Sequence, residues 1–137
     1  LVALAVLMPI VASMGGNAGT QTLTVTVRAI ANKDITYSNA WRFINKEMLV
    51  ALFNGIVFAL IISFGSWLWF SNIDLSIVIF TAMIINMLAA GFSGIVIPLI
   101  LFRIGADPAL AATVFVTTVT DVIGFFAFLG LAAWALI

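Results

Sequence analysis

Charge is nearly absent from four long stretches of this chain, and that absence decides its class. No charged residue occurs from Leu1 to Val27, from Met48 to Phe70 or from Leu75 to Phe102, and Ala109 to Ile137 contains a single one, Asp121. About 20 apolar helical residues, rising 1.5 Å each, cross a hydrocarbon core of about 30 Å. Each stretch is long enough to do so. Soluble domains carry roughly 25% charged residues, whereas this chain of 137 residues has 7%, with 65% hydrophobic residues and a mean hydropathy of +1.33. The expected fold is therefore all-α: a polytopic membrane bundle with four transmembrane helices.

Composition removes several functions. Five basic and five acidic residues give zero net charge, so no long-range field attracts nucleic acid. There is no Cys and no His, which excludes disulfides, thiolate or imidazole metal sites, and every catalytic triad built on either residue. Any bound metal must take oxygen ligands. With no second acid inside a span and no nucleophile–base pair, the chain is not expected to be an enzyme. It begins at Leu1 without an initiator Met and reads as a piece of a longer protein. A signal peptide is the weaker reading, since the first run lacks a basic leading region.

The first stretch is unusual in its second half, where Pro9 is followed by Ser13-Met14-Gly15-Gly16-Asn17-Ala18-Gly19-Thr20-Gln21-Thr22. Glycines and amides within a span point either to close helix packing or to a broken helix beside a cavity, and the polar density favours a pathway wall. Residues 28–47 then hold Arg28, Lys33, Arg42 and Lys46, four of the five basic residues. The positive-inside tendency makes this connection cytoplasmic, and Tyr37 and Trp41 suit an interfacial amphipathic helix between the first two spans. Trp67 and Trp69 close the second span as an interfacial belt, and Ser71-Asn72-Ile73-Asp74 makes a short outer turn. In the third span, Asn86 reads as an interhelical hydrogen-bonding residue among small neighbours such as Ala90, Gly91 and Gly94. Pro98 is expected to kink or end that helix. The loop 103–108 returns to the cytoplasmic side with Arg103, Gly105 as a helix stop and Asp107-Pro108 as the cap and first residue of the last helix. The C-terminus then lies outside.

Asp121 is the residue that asks most for an explanation. Translocon scales put an Asp at a helix centre at roughly +2.5 to +3.5 kcal/mol, and such acids face a pathway or a partner rather than lipid. Residues three and four apart share a helix face. Thr117 and Thr118 thus lie one turn before Asp121, Thr113 two turns before it and Gly124 one turn after it. A water-filled groove leading to one acid accounts for this pattern; an acid hydrogen-bonded to Thr or Asn of a neighbouring helix is the structural alternative. Magnesium is often held through one or two carboxylates plus retained waters. One Asp per chain at a two-fold axis would supply two. Composition alone leaves the ion open, a proton included.

Two motifs bear on the choice. Ala12-Ser13-Met14-Gly15-Gly16-Asn17-Ala18-Gly19-Thr20-Gln21, and Asp107-Pro108-Ala109 followed by Phe115-Val116-Thr117-Thr118-Val119-Thr120-Asp121-Val122-Ile123-Gly124, resemble the transmembrane domain of the MgtE family of magnesium channels, relatives of the SLC41 transporters. The resemblance covers residues 1–137 and lacks the family's first transmembrane helix and its cytosolic N and CBS domains. It implies a homodimer in the cell (inner) membrane, five helices per protomer and a central pore for Mg2+, with Mn2+ and Co2+ as further candidates. It also implies that Asp121 recognises the hydrated ion, that Thr117 contributes chiefly through its carbonyl, and that Asn17 assists. Gly15, Gly16, Gly19, Thr20, Gln21, Thr113 and Thr118 would line the pathway. The family often has Asn where this chain has Thr20, and some members have Asn in place of Thr113. A hydroxyl is a shorter partner for ion-bound water, so the inner pathway is expected to differ.

The expected function is a divalent-cation channel or transporter, magnesium first. A proton-coupled secondary transporter using Asp121 as its carrier is the alternative, and an assembly subunit the third.

Overall fold

The computed structural model describes residues 2–32, 39–105 and 108–136. Four helices account for nearly all of them: α1 (Val2–Ala31), α2 (Ala40–Phe70), α3 (Ile73–Arg103) and α4 (Pro108–Leu136). All four are long and apolar enough to cross a membrane, and the described residues contain no strand.

Each helix follows from its sequence, with differences at the ends. Within α1 there is no break at the glycines; the helix passes Pro9 and Gly15–Gly19 and continues to Ala31. Helix α2 starts at Ala40, so Trp41, Arg42, Lys46 and Glu47 form its first turns. The expected interfacial helix is therefore not a separate element within residues 39–47, and 33–38 lie outside the described residues. Pro98 does not end α3, which runs through it to Arg103. Gly105, at φ +86°, takes the left-handed conformation that stops the helix. Asp107 lies outside the described residues, and Pro108 opens α4.

The turn between α2 and α3 closes both helix ends. Ser71 is left-handed, at φ 53°, and its N–H donates to the carbonyl of Trp67 at 2.8 Å. The Asn72 side chain then caps α3 by accepting from the N–H of Leu75 at 3.2 Å.

Helix α3 is the centre of the bundle. It packs on α1, α2 and α4, α1 also packs on α4, and α1 scarcely touches α2. Leu7, Val11, Ile79, Met83 and Phe128 build the main core, while Leu23, Ala112 and Val116 form a smaller one where α1 ends and α4 begins. Without a hydrophobic drive between helices in lipid, small residues let backbones approach. A Cβ at Gly94 would lie 2.9 Å from the carbonyl oxygen of Gly19, so α3 meets the α1 backbone directly.

Outward faces are apolar. Leu49, Phe53, Leu60, Phe64 and Leu68 of α2 are exposed. Trp41 stands at one end of the bundle and Trp67, Trp69 and Trp134, all exposed, at the other. The 26 residues from Trp41 to Trp67 rise about 39 Å, near the roughly 40–45 Å of a bilayer with its headgroups.

Candidate functional site: the seam between α1 and α4

Asp121 lies near the middle of α4, about 20 Å from either end at 1.5 Å per residue, and its side chain is exposed on the surface of the chain. Thr117, one turn earlier, is half-buried, and Thr113, another turn back, is exposed. The three form a polar stripe.

The facing wall is α1. The two helices run antiparallel, and their glycines set the contact. A Cβ at Gly16 would lie 3.8 Å from Thr120 Oγ1, and one at Gly19 would lie 2.6 Å from Val116 Cγ1. Gly16 is therefore level with the residue preceding Asp121. One turn further, Thr20 and Thr24 share an open groove of about 320 Å3 with Thr113 and Arg28. From the level of Asp121 toward the end of the bundle that carries Arg28, the seam thus presents Gly16, Thr20, Thr24 and Thr113, with Leu23 and Val27 among them.

The hydroxyls of Thr20, Thr24 and Thr117 along it, and that of Thr118 beside it, are already committed as donors. Thr20 Oγ1 donates to the Gly16 carbonyl at 2.9 Å and Thr24 Oγ1 to that of Thr20 at 2.9 Å. Thr117 Oγ1 donates to the Thr113 and Val114 carbonyls at 2.8 and 3.1 Å, and Thr118 Oγ1 to that of Val114 at 2.7 Å. What these oxygens still offer is acceptor capacity. Water bound to a cation presents hydrogens outward, so such a seam is matched to a hydrated cation. The Thr117 carbonyl also receives the buried Thr120 hydroxyl at 3.0 Å, so an ion-borne water would compete with Thr120 for it.

The structure does not gather all the expected residues on this seam. Asp121, Thr117, Thr113, Gly16 and Thr20 lie along it. Thr118 is exposed on the other flank of the Asp121 stripe. Gly15 and Gly19 are buried and serve packing. Gly15 faces Asn86, which is fully buried and donates through Nδ2 to the Val11 carbonyl at 2.9 Å, as expected of an interhelical amide. Asn17 and Gln21 line a different space, a cavity between α1, α2 and α3 that also holds Glu47 and Asn54. Sequence reasoning missed those two because it placed Glu47 in a loop. With α2 begun at Ala40, Glu47, Val50, Ala51 and Asn54 fall at helical spacing on one face. No group of three or more carboxylates that could hold a metal ion occurs among the described residues, so those of one chain build no all-carboxylate cage for an ion.

Four helices long and apolar enough to span make this a multi-pass membrane protein, with one carboxylate inside its last span. The chain is a member of the MgtE family: that family's model, described as a divalent cation transporter, matches residues 8–131. It is 33% identical to a magnesium transporter MgtE of Bacillus subtilis over 96% of its length, and 40% identical to that of Enterococcus faecalis over 86%. It is 32% identical to the magnesium transporter MgtE of Thermus thermophilus over 95%. The chain spans 26 to 29% of the length of these relatives.

Proposed function

We propose that this chain forms the ion pathway of a magnesium channel or transporter, in which Asp121 from two protomers binds a largely hydrated Mg2+ on a shared axis. One observation carries the reading: Asp121 is exposed at mid-span, where an isolated chain would present its carboxylate to hydrocarbon at a cost of roughly 2.5 to 3.5 kcal/mol or more. A second copy, placed against the α1–α4 seam, converts that exposed face into a water-filled passage. Two carboxylates suit magnesium, which keeps most of its waters. The seam's hydroxyl oxygens accept from those waters, and the Thr117 carbonyl is a further acceptor. Mn2+ and Co2+ have the charge to follow the same route.

The orientation follows from charge. Arg28, Arg42, Lys46 and Arg103 all lie toward the end of the bundle where α1 and α3 finish and α2 and α4 begin. This supports a cytoplasmic location for the connections 28–47 and 103–108 in the cell membrane, with the C-terminus outside.

The test is Mg2+ flux through the intact protein in vesicles, with Asp121→Ala and Asp121→Asn. Both should abolish most of the flux, and unchanged flux would overturn the reading. Flux that requires a proton gradient and acidifies the vesicle lumen would assign Asp121 to proton carriage instead. Because this chain has no cysteine, Asp121→Cys also tests the shared axis. A bifunctional thiol reagent long enough to span a hydrated ion should link it between protomers, once other thiols of the intact protein are replaced.

A further inference from the structure

The cavity that takes Asn17 and Gln21 away from the seam has the make-up of a site. It measures about 300 Å3 and is walled by α1, α2 and α3, with Asn17, Gln21, Thr22, Glu47 and Asn54 as its polar lining. Glu47 is half-buried there; among the described residues no basic side chain lines the space, and the carboxylate has no ion pair or hydrogen bond. Phe58 and Met87 also line it, and Gly91 lies against Ala51 at the level between Glu47 and Asn54.

We propose that this cavity is a second, lateral binding site for a hydrated divalent cation, with Glu47 supplying the charge and Asn17, Gln21 and Asn54 accepting hydrogen bonds from the ion's waters. The pore reading contributes only the identity of the ion. Size, charge and spacing agree. Six waters at about 30 Å3 each occupy about 180 Å3, well inside the cavity. A lone carboxylate repels phosphate headgroups, and an apolar helix or acyl chain laid over it would bury an unpaired charge. Glu47 and Asn54 sit on one face of α2, about 10.5 Å apart along its axis. A hydrated magnesium, with water at about 2.1 Å and partner oxygens about 2.8 Å beyond, reaches groups about 9.8 Å apart across its diameter. From one wall Glu47 and Asn54 thus face the water shell of an ion in the cavity, and the α1 amides meet it from the other.

The experiment places a thiol between the two ends. Val50 lines the cavity and is exposed. In the intact protein, freed of other thiols and reconstituted in vesicles, Val50→Cys should react with a charged methanethiosulfonate reagent. MgCl2 should slow that reaction several-fold. Protection should vanish with Glu47→Gln and persist with Asp121→Asn. Asn54→Asp, which adds a second carboxylate, should shift the protecting Mg2+ concentration several-fold lower. An unreactive thiol would show the cavity filled by protein or lipid and overturn the proposal. So would protection that survives Glu47→Gln, protection lost with Asp121→Asn, or a midpoint unmoved by Asn54→Asp. Flux in Asp121→Asn decides the pore reading separately, so either can fail alone.

Discussion

Gly15→Ala should be among the costliest single-methyl additions in this protein, and its cost follows from one side chain. A Cβ at Gly15 would overlap Asn86 Nδ2 and lie 2.8 Å from Asn86 Cγ. Asn86 has nowhere to retreat. Its Nδ2 is bonded to the Val11 carbonyl at 2.9 Å, and a Cβ at Gly124, on the opposite side, would lie 2.8 Å from that same nitrogen. Overpacking costs about 1–3 kcal/mol. An interhelical hydrogen bond in a membrane is worth about 0.6 kcal/mol on average and up to about 1.7. Losing both gives about 2–4 kcal/mol. Gly65 and Gly130 have nothing within 4 Å of an added Cβ. Alanine there should be neutral or stabilising by up to about 1 kcal/mol, because glycine is the poorer helix former. Equilibrium unfolding in mixed micelles, followed by tryptophan fluorescence, measures all three. The double variant Gly15→Ala/Asn86→Ala makes room for the methyl, so the two losses should fall short of additivity by about 1–3 kcal/mol. Strict additivity, or a Gly15→Ala variant as stable as Gly65→Ala, would refute the packing account.

Two further perturbations test the ends of the argument. Asn72→Ala removes the side-chain cap of α3 and should lower stability by about 1 kcal/mol, read as a drop in Tm that Asn72→Asp does not show. Thr120→Val keeps the buried shape and deletes the hydroxyl that occupies the Thr117 carbonyl. If that carbonyl receives an ion-borne water, its release is worth about 0.5–1.5 kcal/mol, a two- to tenfold shift to lower Mg2+ in the concentration dependence of flux. A shift to higher Mg2+ would mean that Thr120 holds the carbonyl in its useful orientation.

How much of this was legible in the sequence depends on the range of the interaction. Four spans, their order and the turn at Ser71–Asn72 follow from runs of apolar residues and local capping chemistry, and the structure agrees. Helix starts were harder. Charged residues 40–47 read as surface, yet a helix about 45 Å long extends past the hydrocarbon and carries charge in its first turns. That misplacement hid Glu47 and Asn54 as a pair. The roles of the glycines were only half visible, because residue type says that something approaches closely and not what. Only the placement of α3 and α4 against α1 shows that Gly15 meets Asn86 and Gly19 meets Val116.

The stretch Gly15–Gln21 then has a simple geometry. At 100° per residue, positions four apart nearly superpose and positions one apart do not. Gly15 and Gly19 form one pair, buried against α3 and α4; Gly16 and Thr20 form the next, turned to the seam with Asp121; Asn17 and Gln21 form the third, turned to the cavity with Glu47. Three faces of one helix thus have three different neighbours, and the order of residues cannot be exchanged. Moving the amide from 17 to 16 would take it from the cavity and set it beside Thr120, and moving it to 15 would drive it into Asn86. The polar density that makes α1 odd for a lipid-facing helix is the consequence of its being a wall to polar space on two sides, with Gly15, Ala18 and Gly19 left for packing in this stretch.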